Sequence, residues 1–177
     1  RQREEIKTLN EAGKLLSLTT NPQQIIQLVT SYLGRTFPVA LCGIWLLDHS
    51  KLYLKPFAPL GQAQIAGAIR QMQATVSELL RRPITDAESV PVVEESTDSA
   101  ASWLHTATSL RSHLFTPLIA KEQPIGLLGL FSGQDEAFTN EDRQTVGVIA
   151  EQFAAALRSA FLMDELRRAD ELKNQLL

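Results

Sequence analysis

The side chains best suited to chemistry in this chain are a single cysteine, Cys42, and three histidines, His49, His105 and His113. A thiol can serve as a nucleophile or redox switch, and imidazoles can ligate a metal or haem or move a proton. Their spacing assembles none of these. The histidines and Cys42 do not stand at metal-ligand intervals, His49 falls in a turn-like stretch between Asp48 and Lys51, and Cys42 lies in an apolar run that suits a small buried hydrophobe. The nucleophile elbow, the H-E-x-x-H helix, the P-loop and the G-x-G-x-x-G turn are all missing from the sequence. Gly126-Leu127-Leu128-Gly129 sits inside a strand-like stretch, where glycines admit close backbone or ligand approach instead of cradling phosphate. No catalytic residue and no metal ligand is assigned, and the segment reads as a non-enzyme.

Binding chemistry is the remaining option. Alternation with period two puts His113 with Phe115 on one face of a strand, and Gly129 with Phe131 on one face of the next. If Trp45 shares that face and the helix carrying Met72 and Val76 covers it, then Trp45, Met72, His113, Phe115 and Phe131 form an apolar lining with one imidazole. Such a lining suits a small planar ligand, and Gly129 is expected to leave room beside Phe131. A solid aromatic core would produce the same pattern, so pocket and core both stand as readings.

The elements that must position these residues are readable from local signals. Thr20-Asn21-Pro22 is a cap followed by Pro at the first helical position, and Ile25, Ile26, Val29 and Leu33 give the helix an apolar face ending before Phe37-Pro38. Val39 to Leu47 is apolar on both alternating faces, which predicts a strand covered on both sides, and Leu52 to Ala58 returns as its partner. A helix over 62–82 presents Ile65, Ile69, Met72, Val76 and Leu79 and is broken by Pro83. A short strand is expected at Val90 to Glu94, with a loop and short helix around Trp103. His113 to Ala120 and Pro124 to Ser132 form an antiparallel hairpin across Lys121-Glu122-Gln123.

The last helix is the most explicit element. Thr139 and Asp142 make a capping-box-like T-x-x-D, and Val146, Ile149, Phe153, Leu157 and Ala160 or Phe161 recur at steps of three and four. After Leu162 the apolar residues thin to a seven-residue repeat, Leu162, Ala169 and Leu176, which needs a partner helix. Two registers fill the row between them, one with Leu166 and Lys173 and the other with Glu165 and Leu172, and both remain open. At the other end, Ile6, Leu9, Gly13 and Leu16 have similar spacing. The stripes Ile6, Leu9, Leu16, Leu162, Ala169 and Leu176 are therefore expected to form a parallel homodimer. This organisation divides the chain into an N-terminal dimerisation helix over 1–19, a globular domain over 20–160 and a coiled-coil-like helix over 161–177.

Composition bounds the function. The chain has 177 residues, of which 44% are apolar and 21% charged, enough for one core plus helical extensions. A net charge of −3 gives no basic footprint for nucleic acid. A single cysteine excludes an internal disulfide framework and suits a reducing compartment. No run reaches about 18 unbroken apolar residues and Arg1 to Glu5 is too polar for a signal peptide, so the segment is expected to be cytoplasmic without membrane contact.

The order of helices, strand pairs and long final helix resembles the GAF family of sensory domains over about residues 8 to 160. Leu110-Arg111-Ser112-His113-Leu114-Phe115-Thr116-Pro117-Leu118-Ile119 is similar to the family's penultimate strand, Pro124-Ile125-Gly126-Leu127-Leu128-Gly129-Leu130 to its last strand, and Ala137-Phe138-Thr139-Asn140-Glu141-Asp142 to the entry of its last helix. The resemblance implies an α+β fold in which a central antiparallel sheet has the first and last helices on one face and a ligand pocket on the other. The tail Arg168-Ala169-Asp170-Glu171-Leu172-Lys173-Asn174-Gln175-Leu176-Leu177 resembles the segment preceding the phosphoaccepting histidine motif of sensor histidine kinases. It implies a kinase output domain downstream in the same chain, fed by a small-molecule, redox or light signal. Bilin-binding members attach the chromophore through a cysteine before the penultimate strand, and Ser96 to Leu110 contains none, so a covalent bilin is not expected. His105 leaves a non-covalent tetrapyrrole open. The N-K-x-D-E-type motif of cyclic-nucleotide-binding members is missing as well, so the cofactor stays unknown. The alternatives are a ligand-free dimerisation and docking module upstream of a kinase or nucleotide cyclase and, more distantly, an enzyme with a reactive Cys42.

Overall fold

The computed structural model describes residues 13–14, 19–48, 50–81 and 110–176. The N-terminal stripe Ile6, Leu9 and Leu16, the expected strand at Val90 to Glu94, Trp103, His49 and His105 lie outside the described residues.

Asn21 caps the first described helix, α1 (Pro22–Thr36), its Oδ1 accepting from the backbone N–H groups of Gln23 at 3.0 Å and Gln24 at 3.4 Å. Pro22 follows at the helix start, where its missing N–H costs nothing. Ile25, Ile26, Val29 and Leu33 are buried as the periodicity predicts. Strand β1 (Leu41–Leu46) is buried almost throughout, as its two-sided apolar pattern requires, and it pairs antiparallel with β2 (Lys51–Pro56). Helix α2 (Gln62–Arg81) buries Ala68, Met72, Val76 and Leu79, while Ile65 and Ile69 are only half-buried.

Strands β3 (Ser112–Ala120) and β4 (Gln123–Ser132) form the expected hairpin, with a tighter turn than the polar triplet suggests. Ala120 pairs with Gln123, leaving Lys121 and Glu122 as the turn, with φ of 49° and 64°. Positive φ at both central positions matches the right-handed twist of a two-residue hairpin, though neither residue is the Asn or Gly that adopts it most readily. The sheet order is β2-β1-β4-β3, with every neighbouring pair antiparallel. Beyond β4 the chain is held by buried hydroxyls. Ser112 Oγ donates to the Gln134 carbonyl at 2.7 Å and accepts from the Ala137 N–H at 3.3 Å, and Ser132 Oγ accepts from the Gln134 N–H at 3.2 Å.

Helix α3 (Asn140–Leu176) starts at a reciprocal capping box: the Asp142 N–H donates to Thr139 Oγ1 at 3.1 Å, and the Thr139 N–H donates to Asp142 Oδ2 at 3.0 Å. Val146, Ile149, Phe153, Leu157 and Ala160 are buried against the sheet, with Phe161 half-buried at the margin. An 18-residue window of this helix has a mean hydropathy of 1.4, long and apolar enough on composition to cross a membrane. Val146, Ile149, Phe153 and Leu157 of this helix, however, are packed on the sheet. The result is three layers among the described residues, with α1 and α3 on one face of the sheet and α2 on the other.

Candidate functional site

Strand register decides which side chains share a face. Leu41, Gly43 and Trp45 on β1 stand opposite Phe131, Gly129 and Leu127 on β4, and His113 and Phe115 on β3 stand opposite Phe131 and Gly129. All of these project on the α2 side, so the structure brings Trp45, Met72, His113, Phe115 and Phe131 to one face. Met72 and Phe131 are fully buried there with Leu41, Leu110 and Leu127, and Phe115 is buried among them.

The group is not evenly assembled. The His113, Phe115 and Phe131 rings form a contiguous trio: His113 lies 5.2 Å from Phe115 and 6.4 Å from Phe131 between centroids, and Phe115 meets Phe131 edge to face at 5.6 Å. Such edge-to-face contacts add roughly 0.5–1.5 kcal/mol beyond area burial. Trp45 is half-buried at the other end of the cluster, about 13 Å along β1 from the position facing Phe131 at ~3.3 Å per residue.

Two glycines show how tightly this face is filled. A Cβ on Gly43 would collide with Met72 Sδ, and a Cβ on Gly129 would meet Phe115 Cε1 at 2.9 Å and Phe131 Cε2 at 3.3 Å. The room expected over Gly129 is thus taken by the Phe115 ring. Gly43 was not singled out by sequence reasoning, although a lone glycine inside an apolar strand is the usual sign of close approach.

Cys42 occupies the opposite face, in the cluster with Ile44, Leu128 and Phe153, and is fully buried. Burial pushes its thiol up from the ordinary 9.0 to about 12, offset only partly by Lys55, its cross-strand neighbour on β2. A thiol held this firmly protonated is the reverse of a reactive one. Among the described residues no group of three or more His, Cys, Asp and Glu side chains converges as a metal site would.

Among the described residues three grooves lie elsewhere, one of them of about 280 Å³ between the start of α1 and residues 160–167 of α3. One of about 250 Å³ runs between α1 and β2, lined by Gln23, Ile26, Gln27, Thr30, Tyr53, Leu54 and Lys55. Another of about 310 Å³ sits where α3 leaves the sheet, lined by Leu46, Asp48, Gln123, Ile125, Arg158, Phe161, Leu162 and Glu165. Of the expected seam residues, Leu162 and Leu176 are 48% and 89% exposed, and Ala169 is exposed with them.

The profile of the GAF domain family matches residues 19–158. The chain belongs to the GAF domain family. Among solved structures, the GAF domain of an Acinetobacter phosphoenolpyruvate-protein phosphotransferase is similar at 15% identity and TM-score 0.59, covering 92% of this chain and 98% of that one. The GAF domain of the phosphoenolpyruvate-protein phosphotransferase from Coxiella burnetii is similar at 16% identity and TM-score 0.56, covering 91% and 96%. Free methionine-R-sulfoxide reductase from Neisseria meningitidis, in complex with its substrate, is similar at 16% identity and TM-score 0.52, covering 90% and 91%. At these identities the likeness is one of fold. No curated protein matches the chain. In this GAF domain the α1/α3 side carries a mainly aliphatic core that also buries Tyr32, Phe37, Phe138 and Phe153, and the α2 side carries the His113, Phe115 and Phe131 ring cluster.

Proposed function

We propose that this GAF domain is a cytoplasmic, dimeric sensory module that couples the α2 face of its sheet, through α3, to a histidine kinase core downstream in the same chain. The observation that carries this reading is the division of labour within one helix. α3 runs unbroken from its capping box to Leu176, buries its first half on the sheet, and leaves Leu162, Leu166, Leu172 and Leu176 exposed in its second. A rigid helix rooted in a core and ending in an unpartnered apolar row transmits displacement along its axis. The kinase assignment rests on the resemblance of Arg168 to Leu177 to the segment before a phosphoaccepting histidine. The signal is a small molecule and not a thiol redox event, because the sole cysteine is buried and protonated. On this reading the segment is a binding module and not an enzyme. That a substrate occupies a similar fold in the Neisseria reductase supports a ligand here.

A second reading is favoured by one specific observation. Met72 against Gly43 and Phe115 against Gly129 fill the α2 face with the protein's own side chains, as expected of a GAF module that only dimerises and docks partners. Native mass spectrometry with an absorption spectrum on the purified protein separates the two. A retained small molecule or a visible band is expected for the sensor. A clean apo mass with no thermal shift across a metabolite library would leave the docking module.

A further inference from the structure

We propose that β2 is a docking edge, where an extended acidic segment of a partner protein adds to the sheet as a further strand. Its carboxylates meet Lys51 and Lys55, and an apolar side chain between them enters the groove beside α1.

The phase of the ladder shows what the edge offers. β2 stands at one end of the sheet order, with a strand partner only in β1 among the described residues. The Phe57 N–H donates to the Ala40 carbonyl at 2.8 Å, and bonding alternates along an antiparallel pair, so the backbones of Lys55, Tyr53 and Lys51 also turn toward β1. The N–H and C=O groups of Leu52 and Leu54 therefore point away from the sheet. Pro56, which has no N–H, ends this run of donors.

The side chains alternate across the two faces. Tyr53 packs on the α1/α3 cluster while Leu52 and Leu54 pack on the α2 cluster, so Lys51, Tyr53 and Lys55 share the α1 side. Lys51 Nζ lies 4.8 Å from the centre of the Tyr53 ring, and Lys55 Nζ lies 5.6 Å from that of Phe57 and donates to Ser31 Oγ at 2.5 Å. Among the described residues neither ammonium forms an ion pair. α1 and β2 together contain Arg35, Lys51 and Lys55 and no Asp or Glu, in a chain whose net charge is −3. Asp48, the carboxylate nearest β2 in sequence, lines the groove beside Arg158 instead.

Spacing and charge select the occupant. Both ammonium groups lean toward the Phe57 end, so they keep the separation of their Cα atoms, about 13 Å at ~3.3 Å per residue. That span is too wide for one small anion and fits carboxylates four residues apart on an extended chain. The groove between α1 and β2, about 250 Å³ and with Ile26 and Tyr53 in its lining, is smaller than the roughly 300–1,000 Å³ of a small-molecule site and suits one side chain facing Tyr53. A second copy fits badly. When two β2 edges pair so that Leu52 and Leu54 of each are used, Lys51 of one faces Lys55 of the other, and like charges directly opposite destabilise a sheet. The edge lysines thus deter self-association and select an acidic strand.

Amide hydrogen exchange by NMR on the whole chain tests this, with a capped nonapeptide of threonines that carries glutamate at its third and seventh positions and valine at its fifth. The Leu52 and Leu54 amides, open in the free protein, are expected to gain at least about tenfold protection at saturation, while the already bonded Tyr53 and Lys55 amides change least. Lysine in place of the peptide's glutamates, or Lys51→Glu with Lys55→Glu in the protein, should each weaken binding about tenfold or more, and the two changes together should restore it. That restoration separates charge selection from misfolding. Binding without protection at Leu52 and Leu54 overturns the strand addition. Equal affinity for the lysine peptide overturns the acidic partner. Absence of binding at millimolar peptide overturns the docking edge, and Leu52 and Leu54 amides already protected in the free protein would then assign its cover to the chain itself or to a second copy.

Discussion

On the α1/α3 side of the sheet, Cys42, Ile44, Leu114, Leu128 and Leu130 meet two helices that contribute Ile25, Leu33, Ile149 and Phe153. On the α2 side, Leu41, Phe115, Leu127 and Phe131 meet a single described helix whose first turns are only half-buried. The first face is mainly aliphatic but also buries Tyr32, Phe37, Phe138 and Phe153. The second holds an imidazole, a thioether, two phenyl rings and two glycines close to them. Both faces bury rings, but among the described residues only the second sets an imidazole and a thioether beside them, groups that can discriminate a ligand by edge, face and hydrogen bond. The same strands thus separate holding the domain together from any recognition it performs.

Four substitutions or conditions put that contrast at risk. The largest effect is expected on the aliphatic face, where Phe153→Ala should cost about 3–5 kcal/mol in chemical denaturation, because Phe153 is fully buried and the helix cannot close over the cavity. A loss under 1 kcal/mol would mean that the face is not the structural one. On the other face, Gly43→Leu should cost about 1–3 kcal/mol by overpacking against Met72, and adding Met72→Ala should recover part of it. Simple additivity in that cycle would show that the two residues are not in contact in solution. Thr139→Ala, which removes one arm of the capping box, should cost about 1 kcal/mol with no change in the aromatic face's fluorescence.

The smallest effect at neutral pH is that of Cys42. Its folded thiol holds its proton up to about 12 while the unfolded thiol loses it near 9.0, so its contribution is intact below pH 9 and is lost as pH rises from 9 toward 12. Wild type should therefore lose stability more steeply than Cys42→Ala across that window, and the two should run parallel between pH 6 and 8. A native thiol that reacts with maleimide at pH 7 as fast as free cysteine would show the aliphatic face to be open.

How much of this was legible follows from how local each signal is. Thr139, Asp142, Asn21 and Pro22 act within one helical turn, and the caps stand where their chemistry places them. The two-sided run Val39 to Leu47 foretold a doubly covered strand, and alternation put His113, Phe115 and Phe131 together, because both signals depend only on period. Filling is different. Whether Phe115 turns over Gly129 or leaves it open depends on rotamers and on Met72 arriving from another element, which no period encodes. The reach of Arg158 to the Ala120 carbonyl, 38 positions away, was equally hidden.

The place of α3 in the chain has a consequence for synthesis. The β3–β4 hairpin closes through two residues and can form as soon as it leaves the ribosome, but its aliphatic face gains half of its cover only from the final 37-residue helix. Until that helix emerges, Leu114, Leu118, Leu128 and Leu130 lie open on a paired sheet, a surface prone to stick to other chains. A stop codon anywhere before Phe153 would make that transient exposure permanent, so the helix proposed to carry the signal also serves as the nascent domain's last protection against aggregation.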